Sequence, residues 1–152
     1  GHKYAAGLKL KKSNLSIFKN QFESIVKDSV GYKMFTRSFY YDLLIDFSKL
    51  TVENIKIIQR MAPFGLGNKR PVFRTNNCFI DSKLKFLGKD QQIVKSIVKD
   101  KYETKLSFIC FEKKSDLVGL KSPFDILYNV NLNTFSGQET VEIIIRELYI
   151  KK

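Results

Sequence analysis

The sequence predicts an α+β fold: two helices followed by an all-β unit of five strands. Three observations predict it. Apolar residues recur at helical spacing twice before residue 62, the period changes to two after residue 72, and a Pro/Gly-rich segment lies between the two regimes. The chain has 152 residues and 43% hydrophobic residues, enough for one ordinary domain or a smaller one with an appendage.

Tyr4 to Leu10 reads as a short strand, with Ala6, Leu8 and Leu10 alternating with Gly7 and Lys9, and Lys11-Lys12 ends it. Ser13 or Asn14 supplies an N-cap oxygen for a helix. Leu15, Phe18, Phe22, Ile25 and Val26 form its apolar stripe through about Ser29, and Gly31 stops it. Tyr32 to Ser38 is irregular and aromatic, and Tyr40 to Phe47 resembles a strand. Thr51 then caps a second helix with Glu53 in its first turn, and Val52, Ile55, Ile58 and Met61 line one face.

Ala62 to Phe73 contains two of the three prolines, Pro63 and Pro71, and two of the eight glycines, Gly65 and Gly67. Proline fixes φ and removes a donor, glycine admits positive φ, and Asn68 closes turns with its side chain. Such a segment is a stiff corner that fixes the angle between two units. Lys69 and Arg70, held on it, are candidates for an anionic ligand.

Beyond the corner the predicted strands are Val72 to Phe86, Gln92 to Lys99, Thr104 to Phe111, Phe124 to Asn133 and Glu139 to Tyr149. The fourth alternates most cleanly, Phe124, Ile126, Tyr128, Val130 and Leu132 against Asp125, Leu127, Asn129, Asn131 and Asn133. Gly88-Lys89-Asp90 turns between the first two strands and Ser136-Gly137 between the last two. Glu112 to Gly119 lacks alternation and suits a short helix. Five strands with a break after the third is the order of an OB-fold β-barrel; pattern alone also admits an SH3-like barrel or an open meander.

Chemistry is sparse. His2 is the only histidine, Cys78 and Cys110 stand in no close-spaced ligand motif, and no phosphate-binding loop of nucleotide-hydrolase type is present. Asp42 and Asp46 fall on a predicted strand and read as solvated or capping carboxylates. The chain taken alone therefore has no complete active site, binds no metal and holds no cofactor. Two cysteines in a chain of this size read as reduced, half-buried strand residues of a cytoplasmic protein. No run approaches the roughly 18 apolar residues of a membrane span, so no membrane partner is expected. The first residues carry neither an initiator Met nor a signal-peptide pattern and read as a cut through something larger.

Binding is better supported. The net charge is +12, with 13 Lys and Arg against 5 Asp and Glu in residues 1–73 and 14 against 10 in residues 74–152. Both halves suit a polyanion. Arg74, Lys83, Lys85, Lys89, Lys95, Lys99, Lys101 and Lys105 lie on or beside the first β-strands. Lys83 with Lys85, and Lys95 with Lys99, share strand faces and form rows. Lysine rows attract phosphates without reading bases, and Phe79, Phe111, Phe135 and the tyrosines offer stacking platforms. Together they favour a groove for single-stranded nucleic acid.

Two segments carry a family resemblance. Gly1-His2-Lys3-Tyr4-Ala5-Ala6-Gly7-Leu8 resembles the GGHxxAAG motif of the DHH-associated domain, one glycine short. Ala62-Pro63-Phe64-Gly65-Leu66-Gly67-Asn68, with Pro71-Val72-Phe73, resembles the APFGxGNxxPVF corner that opens the OB domain of RecJ single-stranded-DNA-specific exonucleases. The resemblance covers nearly the whole chain. It implies residues 1–37 as the end of a DHH-associated domain and 38–152 as the OB-fold domain with its lead-in strand, helix and corner. It also implies a 5′-to-3′ exonuclease of recombination and repair whose two-metal site, Mn or Mg, lies in an upstream DHH domain outside this chain. Gly1 and His2 would approach a substrate phosphate, and Lys69, Arg70, Arg74, Lys83, Lys85, Lys89, Lys95 and Lys99 would serve single-stranded DNA. Two alternatives stand beside this: an OB module docking a partner such as single-strand-binding protein, and a fragment of an RNA-directed DHH phosphoesterase.

Overall fold

The computed structural model of the chain describes residues 5–30, 38–111, 117–120 and 123–150. The chain divides into two compact units, residues 1–39 and 40–152. Gly1, His2, Tyr4, Gly31 and most of the aromatic stretch after it lie outside the described residues.

In the first unit, a 3-10 turn at Lys12–Asn14 runs directly into helix α1, Leu15–Val30. Ser13 and Asn14 sit inside that turn, where the Ser13 hydroxyl bonds the Asn14 side chain at 3.3 Å, and the residue at the N-cap position, Lys11, makes no side-chain cap. The apolar stripe is present, with Phe18 and Phe22 stacked at 5.5 Å, but none of its residues is buried. Of the expected strand from Tyr4 to Leu10, Tyr4 lies outside the described residues and no strand forms over Ala6 to Leu10. Ala5 has a bridge, and Ala6 to Leu10 pair with no strand among the described residues.

The second unit is a sheet with one short helix. Its strands are β1 (Leu43–Leu44), β2 (Phe73–Ile80), β3 (Lys85–Leu87), β4 (Ile93–Lys99), β5 (Lys105–Phe111), β6 (Phe124–Phe135) and β7 (Gln138–Ile150), and α2 spans Val52–Gln59. Seven strands thus replace the five expected. The sheet order is β1-β2-β6-β7-β5-β4-β3, with a further β2–β4 pairing. The pairings therefore run from β2 through β6, β7, β5 and β4 back to β2. All are antiparallel except β1–β2 and β5–β7.

Two differences from the expected strands have local causes. Between Tyr40 and Phe47 only Leu43–Leu44 pairs, parallel to Phe73 and Arg74. The chain then tightens into a 3-10 turn at Phe47–Lys49, because the Phe47 amide donates to the Asp100 carboxylate at 2.9 Å and its ring enters the core. The long strand from Val72 to Phe86 is two strands. Its register shifts between Thr75 and Cys78, where Asn77 has φ 57°, and the chain leaves the sheet between Ile80 and Lys85.

Local signals elsewhere operate as read. The Thr51 hydroxyl accepts from the Asn54 amide at 3.2 Å and caps α2, which buries Ile55 completely and packs Val52 and Ile58 on the core. Ser136 and Gly137, at φ 50° and 78°, close the β6–β7 hairpin with the two positive φ values such a turn demands. Of the expected helix at Glu112–Gly119, residues 112–116 lie outside the described residues, and Leu117 is buried.

The core gathers Val94, Val98, Phe108, Phe124, Ile126 and Ile143 around Tyr128. The Thr75 hydroxyl donates to the Ile45 carbonyl at 2.6 Å, so at 2.8 Å the Tyr128 hydroxyl is the donor to Thr75. Burial pushes the Tyr128 phenol and the Cys78 thiol up from their ordinary values. Cys78 and Cys110 are both reduced, and both are fully buried rather than half-buried. The outward side of β6 is covered as well: Asp125 and Asn129 are buried but bonded, Asp125 to Arg74 and Asn129 to the Pro71 carbonyl.

The corner lies inside the second unit, joining α2 to β2. Ala62–Pro63 is cis, and Gly65 and Asn68 face each other through two backbone hydrogen bonds of 2.8 and 3.2 Å. The Asn68 amide group donates to the Met61 and Pro63 carbonyls at 2.8 and 2.9 Å. The segment is stiff for the reasons its composition implies, and it joins the helical stretch of the second unit to β2.

Candidate nucleic-acid interface

Alternation along β4 and β5 turns Val94, Val98, Phe108 and Cys110 inward. The residues between them form the outer face, and register aligns these into rows. Leu87, Ile93 and Phe111 are cross-strand neighbours over β3, β4 and β5. The next row is Lys85, Lys95, Ile109 and Ile144, reaching β7. Then come Ile97, Ser107 and Glu142, and finally Lys99 and Lys105. Phe111 is 49% exposed and Leu87 45%, so the first row presents an aromatic edge and an aliphatic floor to solvent.

The lysines on this face fall into two groups. Lys95 is held 2.7 Å from the buried Glu142 carboxylate, which also accepts from the Ser107 hydroxyl at 3.0 Å. Lys99 pairs with Glu103 at 2.8 Å and Asp81 at 3.8 Å, and Lys105 with Asp81 at 2.8 Å. The Lys105 hydrogen bond, aided by the charges of Lys105 and Lys99, holds the Asp81 carboxyl below its ordinary value, and the Glu103 bond raises Lys99. Lys83, Lys85 and Lys89, by contrast, are exposed and make no ion pair among the described residues. All three lie in the segment from the end of β2 to the start of β4.

The remaining candidates sit elsewhere. Arg74 on β2 bonds Asp125 at 2.8 Å and Asn76 at 2.8 Å and lies over the Tyr41 and Tyr149 rings. The Asp125 bond raises its already high pKa. Arg70 lies over the Phe64 ring at 5.1 Å and donates to the Asn131 side chain at 2.5 Å, which fastens the corner to β6. Lys69 is exposed on the corner, and Lys101 lies 4.6 Å over the Tyr102 ring. Of the proposed platforms, Phe111 and Phe135 are exposed, Phe79 is half-buried, and Tyr128 is wholly internal. Asp42 accepts from the Val72 amide at 2.8 Å, a local cap on the β1–β2 pairing.

The acids that sort these lysines, Glu142 and Asp81, went unread in the sequence. Their partners are chosen by strand register over long separations, and no local pattern signals them. Among the described residues, no group of three or more His, Cys, Asp or Glu side chains is placed to hold a metal. No described helix is long and apolar enough to cross a membrane.

Residues 41–147 match the family model for the RecJ OB domain. The single-stranded-DNA-specific exonuclease RecJ of Bacillus subtilis (strain 168) is 21% identical over 154 residues, covering 100% of this chain and 19% of that protein. The crystal structure of RecJ in complex with Mg2+ from Thermus thermophilus is 20% identical with a TM-score of 0.65, covering 100% of this chain and 23% of the other. Its Mn2+ complex is 19% identical with a TM-score of 0.66, at 100% and 22% coverage. The chain spans about a fifth of the length of these relatives.

Proposed function

Because this chain belongs to the RecJ OB domain family, we propose that its second unit binds single-stranded DNA on the outer face of β3, β4 and β5. The ring of pairings from β2 through β6, β7, β5 and β4 serves as the five-stranded barrel of the OB fold, whose usual oligonucleotide surface is the face of the second and third barrel strands, here β4 and β5. One observation carries the reading: Lys83, Lys85 and Lys89, which make no ion pair among the described residues, lie in the segment that carries Leu87, whose row with Ile93 and Phe111 is open to solvent at both ends. Ammonium groups hold phosphates, and an unstacked base lies on an aromatic surface. A duplex hides its base faces and gains only the charge.

In the complete protein, the reading makes this region the substrate-holding part of a cytoplasmic 5′-to-3′ single-stranded-DNA exonuclease of recombination and repair. A divalent metal, Mg or Mn, then belongs to residues upstream of this chain. Gly1 and His2 approach a phosphate there, and residues 1–37 close the DHH-associated domain.

Fluorescence anisotropy of labelled oligodeoxythymidine with the 152-residue chain tests the binding. Three phosphate contacts predict that log K falls with log salt at a slope of about −2. Absence of binding at low salt overturns the reading, and stronger competition by RNA than by DNA of the same length moves the substrate to RNA.

A second reading, docking of a partner such as single-strand-binding protein, is favoured by a cleft of about 350 Å³ beside α2, lined by Leu43, Ile45, Ile58, Met61, Pro71 and Phe73. A pull-down that survives Glu substitution of Lys83, Lys85 and Lys89, but not Ile58→Asp, separates the two.

A further inference from the structure

We infer that Glu142 is a specificity-determining residue of the β3–β5 face, holding Lys95 in an internal ion pair so that the centre of the face carries no free positive charge. The inference rests on the nucleic-acid reading and extends it to how a strand is oriented.

Lys95 occupies the middle of the face, with Lys85 beside it on β3 and Ile109 on β5. Left free, it would draw phosphates across the apolar rows. Glu142 prevents this from β7. Its side chain is 10% exposed, and one oxygen, Oε1, accepts both from Lys95 at 2.7 Å and from Ser107 at 3.0 Å. Ser107 is the Cα partner of Glu142 across the parallel β5–β7 pairing, so the strand register itself aims the carboxylate.

A phosphate reaching for Lys95 meets this anion at short range, in partly desolvated surroundings where like charges repel strongly. Phosphates are thereby confined to Lys83, Lys85 and Lys89, and bases to Leu87, Ile93, Phe111 and Ile97. Backbone outside and bases inside is an arrangement that only an unpaired strand can adopt.

Salt-dependent anisotropy on three forms of the chain tests this. Glu142→Gln keeps the side-chain shape and an acceptor for Ser107 while releasing Lys95. It is expected to steepen the slope of log K against log salt by about 0.7, one added single-strand phosphate contact, and to narrow the preference for single-stranded over duplex DNA. The double variant Lys95→Met, Glu142→Gln removes both charges together, leaves neither partner buried alone, and is expected to return to the wild-type slope. Thermal melting confirms that each form is folded. An unchanged slope in a folded Glu142→Gln protein overturns the inference. So does a double variant whose slope is shallower than wild type by about 0.7, since Lys95 would then contact phosphate in the native face. Wild-type protein that binds no strand overturns the nucleic-acid reading itself, and the inference with it.

Discussion

Asp100 and Phe47 are 53 residues apart in sequence, and the Asp100 carboxylate takes the Phe47 amide hydrogen bond at 2.9 Å in the buried interior. Its other oxygen accepts from the Tyr102 and Thr104 amides at 2.9 and 3.0 Å. One side chain thus closes the turn between β4 and β5 and fixes the 3-10 turn that seats the Phe47 ring against Tyr128. Asp100→Ala leaves buried amides without an acceptor and should cost about 3 kcal/mol, read from urea denaturation. Asp100→Asn retains one acceptor oxygen and should cost less.

Arg74→Ala should damage folding and spare binding. The substitution removes the Arg74 ion pair from Asp125, whose side chain is 6% exposed, at a cost of about 3 kcal/mol. Single-strand affinity measured well below the melting temperature should stay within about twofold of wild type, because removing a guanidinium held by Asp125 subtracts little from the field at the β3–β5 face. Anisotropy and thermal melting on the same samples separate the two effects.

Gly65 and Gly67 look equivalent in the sequence and differ in the fold. Gly67 has φ 92°, a conformation that L side chains rarely adopt, whereas Gly65 has no positive φ and open space where a Cβ would go. Gly67→Ala should destabilise by about 1 kcal/mol and Gly65→Ala should be close to neutral, measured as midpoints of chemical denaturation.

Asp81 gives the stability a dependence on acid. Its folded-state carboxyl lies below the ordinary value of 3.8, chiefly through the Lys105 hydrogen bond. The sign follows directly: the contribution is fully present above the ordinary value and is lost as pH falls through the lower folded value. Wild-type protein should therefore exceed Asp81→Asn in melting temperature at neutral pH, and the gap should close as the pH drops below 3.8.

The distance over which each residue acts decides what the sequence can disclose here. Thr51, Ser136-Gly137 and the alternation of β6 act within a few residues of themselves, so their roles are visible without the fold. The RecJ-like corner is equally local, and its composition implies its stiffness. Charge partners are different. Lys95 meets Glu142 across 47 residues and Arg74 meets Asp125 across 51, through pairings fixed only once the strands are in register. Lysines that look alike in sequence thus become free or neutralised in the fold. The Tyr4–Leu10 alternation misleads for the opposite reason: a strand pattern needs a neighbour, and the described residues offer none.

The β2–β4 pairing closes the ring with only two aligned residue pairs, Phe79 with Lys99 and Ile80 with Val98, whereas β6 and β7 pair along their whole length. Beyond it, Ser82 extends the join with its side chain, accepting from the Ile97 amide at 3.1 Å and meeting the Ser96 hydroxyl at 2.8 Å. Local opening free energies should be graded around the circumference accordingly, with the seam breathing first and amide protons at Asp81 and Ile97 exchanging before those of Tyr128 and Ile143. Lys83, Lys85 and Lys89 follow the seam in the chain. The lysines that the proposed function assigns to a strand's phosphates are therefore carried next to the most yielding join of the sheet, which would let them shift along an irregular backbone while Phe111, on the fully paired β5, keeps its place.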